Sequence, residues 1–219
     1  MTRRTTTVLI TALVALVAFA AFVLLYQRHT RQQAAEQAGA QQSVMVRAHS
    51  PVLGPADAPV TVVEFFDPAC EACRAFHPYV KQILAAHPRD VRLVVRYTPF
   101  HQQASVVGVR ILEAARAQGR FEPVLQALMD GQPIWASHGA PDLDRAWEFA
   151  RTAGLDIERA RAHVATGAAD ALLQQDMADV QAVGVRATPT FFINGAPLRE
   201  VDPRVLAEQV NAAVAGVRR

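Results

Sequence analysis

The stretch that decides the fold is Val60-Thr61-Val62-Val63-Glu64-Phe65-Phe66-Asp67-Pro68-Ala69-Cys70-Glu71-Ala72-Cys73. Its first half is mostly apolar and β-branched, which predicts a strand, and the residues from Arg74 to Ala86 predict a helix. Cys70 and Cys73 therefore lie at a strand-to-helix junction, where the first N–H groups of the helix point outward and favour negative charge. That position lowers the pKa of a thiol and produces a nucleophilic thiolate.

The spacing of these cysteines, which are the only two in the chain, indicates redox chemistry. A structural disulfide stabilises a fold most when it closes a long loop, and this pair closes almost none. We therefore predict a redox-active disulfide between Cys70 and Cys73 and no further cofactor. The alternative is a metal-binding Cys-x-x-Cys pair, but the chain has neither a second such pair nor closely spaced histidines to complete a site. We predict no metal ligand.

The rest of the chain continues an α/β pattern. A second apolar run, Val91–Tyr97, predicts a strand parallel to the first, because the β-α-β order implies a right-handed crossover. An all-α block of five helices is expected over about 103–185, with an irregular loop at Gly131–Pro141. Before the first strand, Val44–Arg47 is expected to form a short edge strand and Ser50–Pro59 a loop.

The C-terminal part predicts the end of the sheet. Thr190–Ile193 is an apolar strand, and Asn194-Gly195 predicts a two-residue hairpin turn. A final helix is expected to begin at Pro203, with Asp202 as its N-cap.

These features together resemble the thioredoxin superfamily and, within it, the DsbA-like thiol-disulfide oxidoreductases. The matching parts are the stretch Val62–Cys73, the helical insertion, and Thr188-Pro189-Thr190-Phe191-Phe192-Ile193-Asn194-Gly195. The resemblance covers the chain from about Val44 to its C-terminus. It implies a thioredoxin-like α/β fold with an all-α helical insertion.

The resemblance also implies roles for individual residues. Cys70 is the expected nucleophile and Cys73 the buried resolving thiol, and exchange passes through a mixed disulfide. In this family the Thr-Pro bond is cis and faces the cysteines, which implies a cis Pro189 with Thr188 and Thr190 beside the substrate. Because proline has no N–H, a substrate strand pairs with the neighbouring backbone while the ring stays near the disulfide.

We also predict the positions of four other polar residues near the motif. The family often has a buried acid at the position of Glu64, where it helps to move a proton to or from the second cysteine. The alternative for Glu64 is a carboxylate at the edge of the sheet. Asp67 is expected to be a turn residue, His77 a helix-surface histidine, and His101 part of the loop that opens the insertion.

The residues between the cysteines, Glu71 and Ala72, differ from the Pro-His of the best-known oxidant of the family. A histidine stabilises a neighbouring thiolate, whereas the charge of Glu71 opposes it. A less stable thiolate means a less stable reduced form. We therefore expect these two residues to tune the site to a potential between those of thioredoxin and DsbA.

The N-terminal part of the chain predicts a membrane anchor. Val8–Tyr26 carries no charge and is about as long as a spanning helix of roughly 20 residues. We expect an uncleaved anchor over 1–27, a linker over 28–43 and the DsbA-like domain over 44–219. The alternative is a cleaved signal peptide, but the nearest small-residue site, Ala38-Gly39-Ala40, lies too far beyond the apolar stretch.

Charge and compartment limit the partners. The net charge of +2 gives no reason to expect nucleic acid. Arginines flank the apolar stretch on both sides and do not set its orientation. Because disulfide substrates occur in oxidising compartments, we place the domain on the periplasmic, extracytoplasmic side of the inner (cytoplasmic) membrane.

The expected function is oxidation of protein thiols by a monomer, with a membrane redox partner that recycles the cysteine pair. The linker is too short for the dimerisation domain that disulfide isomerases of this superfamily usually carry. A dedicated reductase or isomerase remains the alternative.

Overall fold

The computed structural model describes residues 44–218, together with residues 19, 22–23 and 25–30. Within those ranges, none of the helices has both the length and the apolar content needed to span a membrane. Most of the predicted anchor over 1–27 and of the linker over 28–43 lies outside the described residues, so both stay predictions. The segment Val44–Arg219 forms one compact unit.

A five-stranded mixed sheet in the order β1-β3-β2-β4-β5 forms the centre of this unit. The strands are β1 Val52–Leu53, β2 Val60–Phe66, β3 Val91–Tyr97, β4 Thr190–Ile193 and β5 Ala196–Pro197. The central pair, β2 and β3, is parallel, and β4 pairs with β2 in the antiparallel direction. Both central strands are apolar along almost their whole length because helices cover both faces of the sheet.

Seven helices accompany the sheet in residues 44–218: α1 Glu71–Ala86, α2 Gln102–Ala117, α3 Phe121–Trp135, α4 Leu143–Thr152, α5 Ile157–Ala165, α6 Ala168–Val183 and α7 Pro203–Val217. The helix α1 connects the parallel strands β2 and β3, and α2 to α6 lie between β3 and β4. The predicted α/β sheet with a helical insertion is therefore confirmed. The last helix begins as predicted, because the Asp202 side chain accepts a hydrogen bond from the Arg204 amide.

Side chains of β2 alternate between two buried clusters. Val62 and Phe66 belong to the larger cluster, which includes Cys73 and residues of α1, α2 and α3. Val63 and Phe65 face a smaller cluster that α6 and the segment before β1 complete. Because the alternation has a period of two, Glu64 points to the same face as Val62 and Phe66, toward the cysteines.

The expected edge strand at Val44–Arg47 is wrong, and the actual edge strand is β1, inside the segment expected to be a loop. The backbone of β1 pairs with β3 in the antiparallel direction. Residues 44–47 are held by side chains instead. Met45 is buried under the sheet, and Arg47 forms a salt bridge of 2.7 Å with Asp179 of α6.

A buried ionic cluster fixes this N-terminal segment. The Arg96 side chain on β3 is fully buried and forms salt bridges with Asp176 at 2.8 Å and Asp179 at 2.6 Å. Arg96 also donates to the carbonyl of Val44. Each of the buried charges is thus paired, as burial requires.

The loop expected at Gly131–Pro141 begins later than predicted, because α3 continues to Trp135. Gly131 lies inside this helix and allows two helices to approach closely. A Cβ atom at Gly131 would lie 2.5 Å from the ring of Phe149 on α4.

Candidate active site

The two cysteines lie at the N-terminus of α1, directly after the central strand. Cys70 is the N-cap residue and has an extended backbone, with φ −81° and ψ 123°. Cys73 lies one turn into the helix, and both thiols are free. Cys70 is 6% exposed and Cys73 is 0% exposed, so the sulfur nearer to solvent is the one that sequence reasoning assigned as the nucleophile.

The surroundings of Cys70 favour its thiolate. Its pKa falls from the ordinary value of 9.0 to about 5. The largest cause is a hydrogen bond from the Cys73 thiol, and Thr188 and the amides of Cys73 and Ala72 add to it. At neutral pH the Cys70 sulfur is therefore ionised, as the helix N-terminus predicted.

The surroundings of Cys73 have the opposite effect. Burial raises its pKa well above the ordinary value, and the hydrogen bond to Cys70 and the charge of Glu64 raise it further. The Asp67 amide, which donates to the Cys73 sulfur at 3.5 Å, lowers it. The pair thus separates into one thiolate and one protonated thiol.

Glu64 lies on β2 beneath the two cysteines. It is 4% exposed, so its predicted burial is confirmed. Burial and then the charge of Cys70 raise its pKa to about 8. Near pH 7 this carboxyl group therefore holds a proton. Its charge and those of the two cysteines affect one another's pKa values.

The loop before β4 faces Cys70, as predicted. The Thr188–Pro189 peptide bond is cis. The Thr188 carbonyl oxygen lies 3.3 Å from the Cys70 sulfur and accepts a hydrogen bond from it when the thiol is protonated. The Thr190 hydroxyl donates to the Ala187 carbonyl at 2.7 Å and closes the same loop. Substrate binding by Thr188 and Thr190 stays a prediction.

Glu71 and Ala72 are exposed at the start of α1. The Glu71 carboxylate lies 3.6 Å from Nε2 of His138. It is not among the groups that shift the pKa of Cys70. The predicted tuning of the potential by these two residues stays a prediction.

The two histidines near the motif form hydrogen bonds with side chains other than the cysteines. His77 is half-buried on α1 and its Nε2 is 3.3 Å from Oε1 of Gln126 on α3, where burial lowers its pKa. His101 is the N-cap residue of α2 and so opens the helical insertion, as predicted.

Sequence reasoning missed Gln132, which holds the active-site loop from α3. This buried side chain donates from Nε2 to the carbonyls of Pro68 and Cys70, both at 2.9 Å. Its Oε1 accepts from Nε of Arg74 at 3.1 Å. A glutamine inside a helix gives no sequence signal for such a contact.

Asp67 is also more than the turn residue that the sequence predicted. It is 0% exposed, and its carboxylate accepts hydrogen bonds from Ala69 and from the segment that begins α2. The turn itself is present, because the Cys70 amide donates to the Asp67 carbonyl at 3.1 Å.

The chemistry of this arrangement is thiol-disulfide exchange. An ionised Cys70 attacks a disulfide sulfur, or the oxidised pair accepts attack from another thiolate, and Cys73 resolves the mixed disulfide. A fold with these features places the chain in the class of thioredoxin-like thiol-disulfide oxidoreductases.

Comparison with known proteins agrees with that class. A family model described as thioredoxin matches residues 47–213, and the chain belongs to this family. The chain is 32% identical to a thioredoxin-like oxidoreductase from Silicibacter pomeroyi, with a TM-score of 0.68 over 80% of this chain and 96% of that one. The α-DsbA1 of Wolbachia pipientis shares the fold at 14% identity, with a TM-score of 0.70 over 80% of this chain and 96% of that one.

Curated relatives are longer proteins. The protein named Na⁺/H⁺ antiporter NhaA of Herminiimonas arsenicoxydans is 33% identical over 168 residues, which is 76% of this chain and 26% of that protein. The chain spans about a quarter of the length of the curated relatives it matches. The match therefore concerns one segment of those proteins.

Proposed function

We propose that the chain oxidises thiols of extracytoplasmic proteins through the Cys70–Cys73 disulfide. The observation that carries this proposal is the separation of the two thiol pKa values, with Cys70 at about 5 and Cys73 raised well above its ordinary value. A thiolate that is stable at neutral pH stabilises the reduced form, and an enzyme with a stable reduced form is an oxidant.

The reaction proceeds in two exchange steps. A substrate thiolate attacks the Cys70 sulfur, the Cys70–Cys73 bond breaks, and Cys73 leaves as a thiolate. A second substrate thiolate then attacks the substrate sulfur of the mixed disulfide and releases the Cys70 thiolate. The substrate loses two electrons and gains a disulfide, and the enzyme cysteines are reduced.

Glu64 supplies the proton that the first step requires. Because the pKa of Cys73 is raised, its leaving thiolate takes up a proton at neutral pH. The Glu64 carboxyl holds a proton up to a pKa of about 8 and is buried beside the same sulfur atoms. The acid thereby makes Cys73 a better leaving group.

The direction of exchange follows from the strength of the Cys70 acid. A thiol pKa of about 5 lies between the roughly 7 of thioredoxin and the roughly 3.5 of DsbA. The enzyme is accordingly a milder oxidant than DsbA.

A membrane redox partner then reoxidises the cysteine pair. The apolar stretch Val8–Tyr26 holds the protein, a monomer, at the inner membrane with its domain outside the cytoplasm.

Trapping of mixed disulfides tests this function. In cells that express the full chain with Cys73→Ala, the Cys70 sulfur is expected to hold substrate proteins in complexes that reductant releases. The matched control carries Cys70→Ala as well, and it removes the only nucleophile. A wild-type pair that is mostly oxidised in cells, with several trapped substrates, supports an oxidase. A pair that is mostly reduced, with one trapped substrate, indicates a dedicated reductase, and no complex at all contradicts both.

A further inference from the structure

The buried carboxylate of Asp67 joins the active-site loop to the beginning of α2. Its Oδ1 accepts from the Ala69 amide at 2.9 Å. Its Oδ2 accepts from the amides of Phe100 at 2.9 Å and His101 at 3.1 Å, from Nδ1 of His101 at 2.7 Å, and from the Ser105 hydroxyl at 2.9 Å. Because a carboxylate only accepts hydrogen bonds, we assign the ring proton of His101 to Nδ1.

The backbone of the same residue contacts both cysteines. The Asp67 carbonyl accepts from the Cys70 amide at 3.1 Å. The Asp67 amide donates to the Cys73 sulfur at 3.5 Å. One residue thus connects the segment 100–105 to the nucleophile and to the resolving thiol.

We propose that Asp67 is a positioning residue for disulfide exchange, whose anchored carboxylate aims the Asp67 amide at the Cys73 sulfur and thereby stabilises the Cys73 thiolate. The inference rests on the proposed function, in which Cys73 alternates between disulfide and thiol and passes through its thiolate in each exchange. Burial, Cys70 and Glu64 all raise the pKa of Cys73, and the Asp67 amide lowers it. The position of this amide therefore affects how readily the resolving thiolate forms.

An asparagine cannot replace the carboxylate at this position. If its oxygen faces the four donors of 100–105, its NH₂ group meets the Ala69 amide, and if it is turned around, the NH₂ group meets those four donors. In both orientations two donors face each other, so the loop that carries the Asp67 amide shifts.

The test compares full-length wild-type protein with the Asp67→Asn variant, with oxidised glutathione as the disulfide probe. The reduced protein first forms a mixed disulfide at Cys70, and Cys73 then displaces glutathione. Acid quenching and mass spectrometry give both rates between pH 5 and 9. We expect Asp67→Asn to slow the displacement step about tenfold, which corresponds to one hydrogen bond to a charged group, and to move its pH profile upward. The first step should stay within about twofold of wild type, because Cys70 keeps the partners that set its pKa.

The matched control is Asp156→Asn, which removes the carboxylate that caps α5. A loss of negative charge alone would lower the pKa of Cys73 and speed the displacement, so the direction of the change separates the two effects. A displacement rate in Asp67→Asn that equals or exceeds that of wild type overturns the proposal.

A second variant decides the question if Asp67→Asn does not fold. Ser105→Ala keeps the carboxylate and removes one of its donors. We expect about threefold slower displacement from this variant, a smaller effect than in Asp67→Asn, since one donor to the carboxylate is lost while the other four remain. Unchanged displacement in folded Ser105→Ala protein then overturns the role of Asp67. Failure of wild-type protein to form a mixed disulfide with glutathione instead refutes the proposed function, and the role of Asp67 with it.

Discussion

Replacement of Glu64 by glutamine is expected to make the reduced protein more stable at neutral pH. Burial, followed by the charge of Cys70, raises the pKa of Glu64 from 4.5 to about 8. In the unfolded chain this carboxyl group ionises at its ordinary pKa, so between the two values the folded state holds a proton that the unfolded state has released. Glutamine has a similar size and does not titrate.

The sign follows from proton linkage. Because the folded state binds more protons than the unfolded state between pH 4.5 and about 8, the free energy of unfolding falls as pH rises through that window. The loss is about 1.4 kcal/mol per pH unit and reaches about 3 kcal/mol at pH 7. It is absent below pH 4.5 and stops growing above about pH 8. The Glu64→Gln variant does not undergo this loss.

Urea unfolding of the reduced full chain at pH 4 and pH 7 measures the effect. The variant should exceed wild type by about 3 kcal/mol at pH 7 and match it at pH 4. Glu71→Gln, which removes an exposed carboxylate of the same site, should change stability by less than about 0.5 kcal/mol at either pH. An equal difference at both pH values would mean that glutamine acts through packing, and a less stable variant at pH 7 would refute the linkage argument.

Three further outcomes are expected. The rate of alkylation of Cys70 by iodoacetamide should be half-maximal near pH 5 in the wild type. The midpoint should lie at higher pH in Cys73→Ala, because this variant loses the hydrogen bond from Cys73 that contributes most to the low pKa. Equal midpoints would contradict the role of this hydrogen bond. Equilibrium with glutathione should give a reduction potential between about −220 and about −165 mV. The two limits come from correcting the potentials of thioredoxin and of DsbA for the difference in thiolate stability at pH 7. A value near that of either reference protein would contradict the Cys70 pKa. Gly131→Ala should lower the free energy of unfolding by about 1–3 kcal/mol because its Cβ overlaps the Phe149 ring, whereas Gly216→Ala, with open space around it, should not.

The elements that the sequence predicted correctly are those with a local signal. The strand Val60–Phe66 has an apolar run, Asn194-Gly195 occupies a turn in which both residues have positive φ, and Asp202 caps its helix. By contrast, β1 has only two residues and no pattern of its own, so only its pairing with β3 reveals it. The length of α3 depends on the contact between Gly131 and Phe149, and no local rule for glycine includes that contact.

The residues of the active site also divide into those with a local sequence signal and those without one. Cys70, Cys73 and Pro189 belong to short motifs, and the family resemblance that these motifs carry implied that the three residues lie together. The residues that hold the site do so across long separations in the sequence. Asp67 and Ser105 are 38 positions apart, and Cys70 and Gln132 are 62 positions apart. Such contacts exist only after α2 and α3 have packed against the active-site loop.

The structure separates the charge of Glu71 from the groups that lower the pKa of Cys70. Glu71 follows Cys70 directly, but its carboxylate is 68% exposed and lies beside His138, where water screens its charge. The groups that lower the pKa of Cys70 are within hydrogen-bonding distance of the sulfur: the Cys73 thiol, Thr188 and two amides of the first helical turn. Because a hydrogen bond to a thiolate in a buried site outweighs a screened charge, we expect Glu71 to change the pKa of Cys70 less than these hydrogen bonds do, and the tuning of the potential stays a prediction.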